Sequence, residues 1–195
     1  MQYYSEGNLD QLLSREKLSF NQKDSILKGL YNGVAFLHKN NIIHRDLKPS
    51  NILISKNTRG EYIPKIADFG LAKIVDSNIN GSISNSFLGG TLEYSSPEQY
   101  HGHKLNFNTD IWSLGVITYE VLLGEKPFSA DGVTGSPDAK RAIFFKKIFE
   151  EPIPEKHKEC TKPYDVIIKN SLIKNPEDRY QKVDEIIQSF KKSKP

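Results

Sequence analysis

A single cysteine, Cys160, in 195 residues excludes an internal disulfide and any multi-cysteine zinc site. It fits a reducing compartment, with Cys160 itself reading as a small, partly buried hydrophobe. His101, His103 and His157 lack partners at metal-ligand spacing and are expected at the surface. Long hydrophobic runs are also lacking. The most apolar stretch, Leu114 to Leu123, is interrupted by Thr118, Tyr119 and Glu120 and is too short to cross a bilayer, so it reads as a buried helix and no membrane segment is expected. Neither sign of charge dominates: the net charge is +3 and the one basic run is Lys191-Lys192-Ser193-Lys194, which argues against a nucleic-acid partner. Residues Met1 to Gly7 have neither a basic start nor an apolar core, so no secretory signal is read there and a cytoplasmic location is expected. What is present, 37% apolar and 26% charged residues, suits one globular domain with a core.

Periodicity gives mostly helices with a few short strands. Asn8 can cap a short helix carrying Leu9, Leu12 and Leu13, and Ser19 with Gln22 forms a capping box for a longer one reaching about Asn40. In the longer helix Ile26, Leu30, Val34 and Leu37 make one apolar stripe, slightly weakened by Gly29 and Gly33. Ile42-Ile43, Ile52 to Ile54, and Tyr62-Ile63 with Lys65-Ile66 read as short strands, with turn residues Asn57 to Gly60 between the last two. From Leu71 to Ser96, Ser, Asn and Gly dominate and apolar anchors are few, a stretch long enough to be functional or mobile. Helices are then expected over Thr109 to Leu123, closed by Gly124, from Ser136-Pro137 to about Phe149, over Tyr164 to Ile173, and through Val183, Ile186, Ile187 and Phe190.

Chemistry concentrates in His44-Arg45-Asp46-Leu47-Lys48-Pro49-Ser50-Asn51 and, beyond the strands, Asp68-Phe69-Gly70. Phosphoryl transfer needs a carboxylate beside the attacking hydroxyl, a cation for charge growing on the γ-phosphate, and oxygen ligands for Mg²⁺. Asp46, Lys48, Asn51 and Asp68 are of those types. A lone Asp-Phe-Gly is weak and also reads as a strand-end turn with Gly70 at positive φ. The two motifs together resemble the catalytic-loop and Mg²⁺-loop signatures of eukaryotic-like Ser/Thr protein kinases.

The resemblance implies a fold and a set of roles. The element order is similar to the C-terminal lobe of the protein-kinase fold, mainly α with short β-strands, beginning at the hinge, so that residues 1–195 form a partial protein kinase domain. Asp46 is then the catalytic carboxylate, Lys48 and Thr91 lie beside it and favour a Ser/Thr acceptor, and Asn51 and Asp68 hold Mg²⁺. ATP would lie over Leu53, against the hinge backbone of Gln2 to Tyr4, with Asn8 and Lys48 also facing it. His44, Phe69 and Gly70 support the two signatures. Ser96-Pro97-Glu98 resembles the A-P-E motif, whose Glu pairs with an arginine, here Arg179 in Asn175-Pro176-Glu177-Asp178-Arg179. Asp110-Ile111-Trp112-Ser113-Leu114-Gly115 resembles the start of the central helix, where the Asp holds the catalytic-loop backbone. Arg45 beside Asp46 suggests a switch in which Arg grips a phosphorylated Ser77, Ser82, Ser84 or Ser86; those serines read equally well as solvation of a flexible loop.

No G-x-G-x-x-G and no V-A-I-K-type lysine occur, so the family's ATP-covering N-lobe is not read here. Two functions follow: a Ser/Thr kinase acting with ATP and Mg²⁺ on a protein substrate, inactive as this chain alone, or a non-catalytic kinase-like interaction protein or truncated relic. Either way an N-lobe or partner chain is expected over the hinge face.

Overall fold

Capping chemistry sets the first two helices. In the computed structural model, which describes residues 6–74, 92–101 and 103–192, Asn8 accepts the Gln11 N–H at 2.9 Å and opens α1, Leu9–Arg15. Ser19 and Gln22 exchange reciprocal bonds at the start of α2, Phe20–Lys39. The α2 stripe Ile26, Leu30, Val34 and Leu37 is buried, with Leu27 and Tyr31 beside it. Gly29 has a packing reason: a Cβ there would lie 2.7 Å from Pro64 Cγ, so the glycine lets a strand lie directly on the helix.

Strand β1, Ile42–Ile43, leads into the first motif, and β2, Ile52–Lys56, leaves it. β2 pairs antiparallel with β3, Tyr62–Ile66, in the register Ile52↔Ile66 to Lys56↔Tyr62. Asn57 Oδ1 closes their turn by accepting the N–H groups of Arg59 and Glu61. The Leu71 to Ser96 stretch is not wholly without regular structure. β4, Lys73–Ile74, pairs with β1, and Leu92–Tyr94 forms a 3-10 turn. At two residues and with only one β-branched side chain, Lys73–Ile74 carries too little signal to be read from sequence, unlike the Ile42-Ile43 pair.

Helix α3, Pro97–Tyr100, adds a single turn that lies below any periodic signal in the sequence. Helix α4, Phe107–Leu123, starts before the expected Thr109 and is buried on nearly every side. Its Gly124 cap is left-handed, and Trp112 stacks on Phe128 at 5.8 Å. Helices α5, Pro137–Phe149, α6, Tyr164–Ser171, and α7, Val183–Lys192, complete the fold. Phe190 of α7 packs on Tyr31 and Tyr164, joining α7 to α2 and α6.

The expected surface placement of His157 is corrected. His157 is buried, at 8% exposure, with Nδ1 2.8 Å from the Pro154 carbonyl inside its own 3-10 turn. A local carbonyl satisfies its ring, so burial needs no metal. His101 and His103 are exposed as expected. No helix among the described residues is long and apolar enough to cross a membrane.

Candidate functional site

The first motif is a loop held at both ends. It leaves β1 at Ile43 and turns back as the 3-10 turn Pro49–Asn51 that feeds β2. Leu47 anchors its middle in the core at 1% exposure. The anchor across the fold is Asp110, fully buried in the first turn of α4. Its Oδ2 accepts the His44 N–H and its Oδ1 accepts the Arg45 N–H, both at 2.9 Å. His38 Nε2 lies 2.9 Å from Oδ2 as well. A buried carboxylate that accepts backbone N–H groups from two successive residues fixes the loop in one conformation.

Asp46 is partly exposed, and its Oδ2 receives Lys48 Nζ at 2.9 Å and Asn51 Nδ2 at 3.0 Å. Asn51 Nδ2 also donates to the Asp46 carbonyl at 2.9 Å. The amide nitrogen of Asn51 is thereby committed to Asp46, and its oxygen is the end left for another partner. The structure thus brings together Asp46, Lys48 and Asn51.

Asp68 reaches the same region through backbone. Ala67 donates its N–H to the Asn51 carbonyl at 2.9 Å, and its own carbonyl lies 3.1 Å from His44 Nε2. The residue preceding Asp68 is therefore tied to both ends of the loop. Asp68 is exposed and takes φ of 60°, so the left-handed residue of this turn is the aspartate and not Gly70. Gly70 N–H bonds back to Asp68 Oδ1 at 3.3 Å, and the Phe69 ring lies 5.3 Å from that of His44.

Arg45 also takes positive φ, 69°, and its Nε is buried without a partner among the described residues. Burial pushes its guanidinium below the usual value, against the pull of the Asp110 charge. Glu98 and Arg179 meet as expected, through Nη1 to Oε1 at 2.8 Å and Nη2 to Oε2 at 3.1 Å. Burial opposes ionisation of Glu98, but the hydrogen bonds and charge of Arg179 outweigh it and hold Glu98 below the usual carboxylate range.

Asn8 uses its side-chain oxygen for the α1 cap, and its backbone bridges to Leu53, which is half-buried on β2. Gln2, Tyr4, Ser77, Ser82, Ser84, Ser86 and Thr91 lie outside the described residues. Sequence reasoning passed over His38, Gln99 and Tyr94. Gln99 Nε2 donates to the Arg45 carbonyl at 2.9 Å, and Tyr94 donates to Glu120 at 2.7 Å. Position supplied a hint only for Gln99, which directly follows Ser96-Pro97-Glu98.

A family model described as the protein kinase domain matches residues 1–190. The serine/threonine-protein kinase PknB of Mycolicibacterium smegmatis is 37% identical over 153 residues, covering 77% of this chain and 23% of the relative. The serine/threonine-protein kinase pkn3 of Myxococcus xanthus is 34% identical over 186 residues, covering 92% of this chain and 33% of the relative. The inhibitor of nuclear factor kappa-B kinase subunit alpha of Danio rerio is 40% identical over 132 residues, 66% of this chain and 17% of the relative. The chain therefore spans a third or less of the length of these relatives. With the loop geometry and the family match in agreement, the chain belongs to the protein kinase domain family, in its eukaryotic-like Ser/Thr branch.

Proposed function

We propose that this chain supplies the hinge and C-terminal lobe of a serine/threonine kinase that transfers the ATP γ-phosphate to a protein hydroxyl. The observation that carries the reading is the joint grip of Lys48 and Asn51 on Asp46 Oδ2, in a loop clamped by Asp110. In this reading Asp46 orients the acceptor hydroxyl and accepts its proton. Lys48, ion-paired with Asp46, neutralises charge developing on the transferred group.

The donor set fits Mg²⁺. Asn51 presents an amide oxygen because its nitrogen is engaged, and Asp68 presents an exposed carboxylate; both are hard oxygen ligands. Bound Mg²⁺·ATP would supply the phosphoryl group and the charge neutralisation that the side chains alone do not. Asn51 has a second duty, holding Asp46 in place through its amide nitrogen.

Arg45 completes the reading as the receptor of a phosphorylated residue in the segment after Gly70, supported by its buried, unpartnered Nε. Phe69 and Leu71 are 48% and 50% exposed on the Asp68 side of the loop. That apolar pair supports a covering N-lobe or partner chain, without which water is not excluded and turnover by this chain alone is expected to be negligible.

The test is γ-phosphate transfer by the full-length protein to a generic Ser/Thr protein substrate. Transfer is expected to need Mg²⁺, to stop with chelator, and to fall by at least about a hundredfold in Asp46→Asn. Unchanged transfer in Asp46→Asn contradicts the assignment, and absence of transfer by the wild type favours the non-catalytic interaction protein.

A further inference from the structure

Gln99 is a neutral side chain in the core, 5% exposed, with both ends of its amide in use. Its Oε1 accepts the Ser96 N–H at 2.9 Å and the Ser96 hydroxyl at 3.1 Å. Its Nε2 donates to the Arg45 carbonyl at 2.9 Å, across 54 positions of sequence. Its chain neighbours serve other parts of the fold: Glu98 pairs with Arg179, and Tyr100 packs 5.2 Å from Phe145 of α5. Gln99 is thus a direct side-chain link from α3 to the catalytic loop.

The carbonyl that Gln99 holds is a sensitive one. It belongs to the peptide joining Arg45 to Asp46, so its orientation sets the direction in which the Asp46 Cα leaves the loop. Arg45 sits at φ of 69°, a conformation that costs a non-glycine residue energy and persists only when the surroundings fix it. Asp110 fixes the N–H side of Arg45. On the carbonyl side, the N–H of the same peptide has, among the described residues, only a long 3.4 Å contact with His44 Nδ1. The Gln99 bond is the short one.

We propose that Gln99 is a positioning residue, which fixes the Arg45–Asp46 peptide and so aims the Asp46 carboxylate. The proposal rests on the reading of Asp46 given above. It also makes the segment ending at Ser96 and the orientation of Asp46 interdependent, because one amide serves both.

Two variants separate the halves of that amide. Gln99→Glu keeps an acceptor for Ser96 but sets a carboxylate oxygen against the Arg45 carbonyl. Gln99→Met keeps the volume and removes both bonds; it serves if the buried charge of the first variant prevents folding. Hydrogen exchange of the full-length protein is the first readout. Amides 44–48 are expected to exchange about tenfold faster in either variant, as loss of one hydrogen bond predicts, with the buried amides of α4 unchanged. Steady-state transfer is the second, with kcat falling about tenfold and the KM for ATP within about twofold.

Unchanged exchange at 44–48 overturns the proposal. Faster exchange with unchanged kcat overturns it too, since the link would then be structural alone. If the wild-type protein transfers no phosphate while exchange responds as expected, the kinase reading fails and the hold on the Asp46 peptide stands.

Discussion

Glu98 and Arg179, 81 positions apart, form a buried two-point ion pair that joins α3 to the segment before α7. Thr109 adds a hydrogen bond to Glu98 Oε1 at 3.1 Å, and Arg179 also donates to the carbonyls of Asn108 and Ile173. Every strong donor and acceptor of the pair is satisfied, which is the condition under which buried charges are tolerated. The pair holds in place the same short helix from which Gln99 reaches the Arg45 carbonyl.

Removing one partner strands the other. Glu98→Gln is expected to cost about 3 kcal/mol by urea denaturation, and the paired replacement Glu98→Gln with Arg179→Met less than the sum of the single changes. The acid limb follows from the depressed Glu98 value. Its contribution is present above the ordinary value of 4.5 and is lost as pH falls through the lower folded value. The stability difference between wild type and Glu98→Gln should therefore shrink as pH drops below 4.5; a constant difference contradicts this.

Asp110→Asn replaces one acceptor oxygen with a donor facing backbone N–H groups. We expect a stability loss of roughly 2 kcal/mol. Transfer by the full-length protein should fall about a hundredfold, because a loop displaced by an ångström misplaces the carboxylate. Kinetics and denaturation on the same preparation check both, and wild-type kinetics would show that the clamp is not needed.

Gly115 lies where α4 closely approaches the C-terminal end of α6. A Cβ there would lie 2.7 Å from Ser171 Cβ and 2.9 Å from Leu172 Cδ2. Gly115→Ala gains about 1 kcal/mol of helix propensity but is expected to lose more through overpacking, at about 1–3 kcal/mol. The melting temperature should fall. A rise would mean that α6 yields without cost.

Lys174 reports on the alkaline side. Its Nζ donates to the carbonyls of Lys147 and Ile148 at 2.8 and 2.6 Å and lies over the Phe128 ring. Burial lowers it to about 8, against the charges of Glu151 and Glu150. For a value lowered from 10.5, the contribution is complete above 10.5 and is lost as pH falls through about 8. Relative to Lys174→Met, wild-type stability should therefore rise between pH 8 and 10.5. Parallel pH profiles of urea midpoints would contradict the shift.

Much of this was legible because the chemistry is contiguous. His44 to Asn51 and Asp68 to Gly70 read as motifs without knowledge of the fold, and caps at Asn8 and Ser19 were visible because a capping box is a local pattern. What escaped depends on contacts across the fold. His38 and Gln99 matter only because Asp110 and the Arg45 carbonyl come to them; His38 carries no periodic or spacing signal, and Gln99 is marked only by following Ser96-Pro97-Glu98. His157 was misplaced for a related reason: a single turn of 3-10 helix buries it, and no pattern announces so short an element. Positive φ at Asp68 instead of Gly70 shows the limit of assigning turns by residue preference when hydrogen bonds to Asn51 and His44 fix the preceding residue.

The proposed convergence of Asp46, Asn51 and Asp68 on one nucleotide-metal site is open to paramagnetic relaxation, with Mn²⁺ and a non-hydrolysable ATP analogue added to isotope-labelled protein. The Asn51 side-chain amide and the backbone amides of Asp46, Ala67 and Asp68 are expected to broaden first and together, with the effect lost in Asp68→Ala. Broadening centred elsewhere, or at Asp68 without Asn51, would contradict the account.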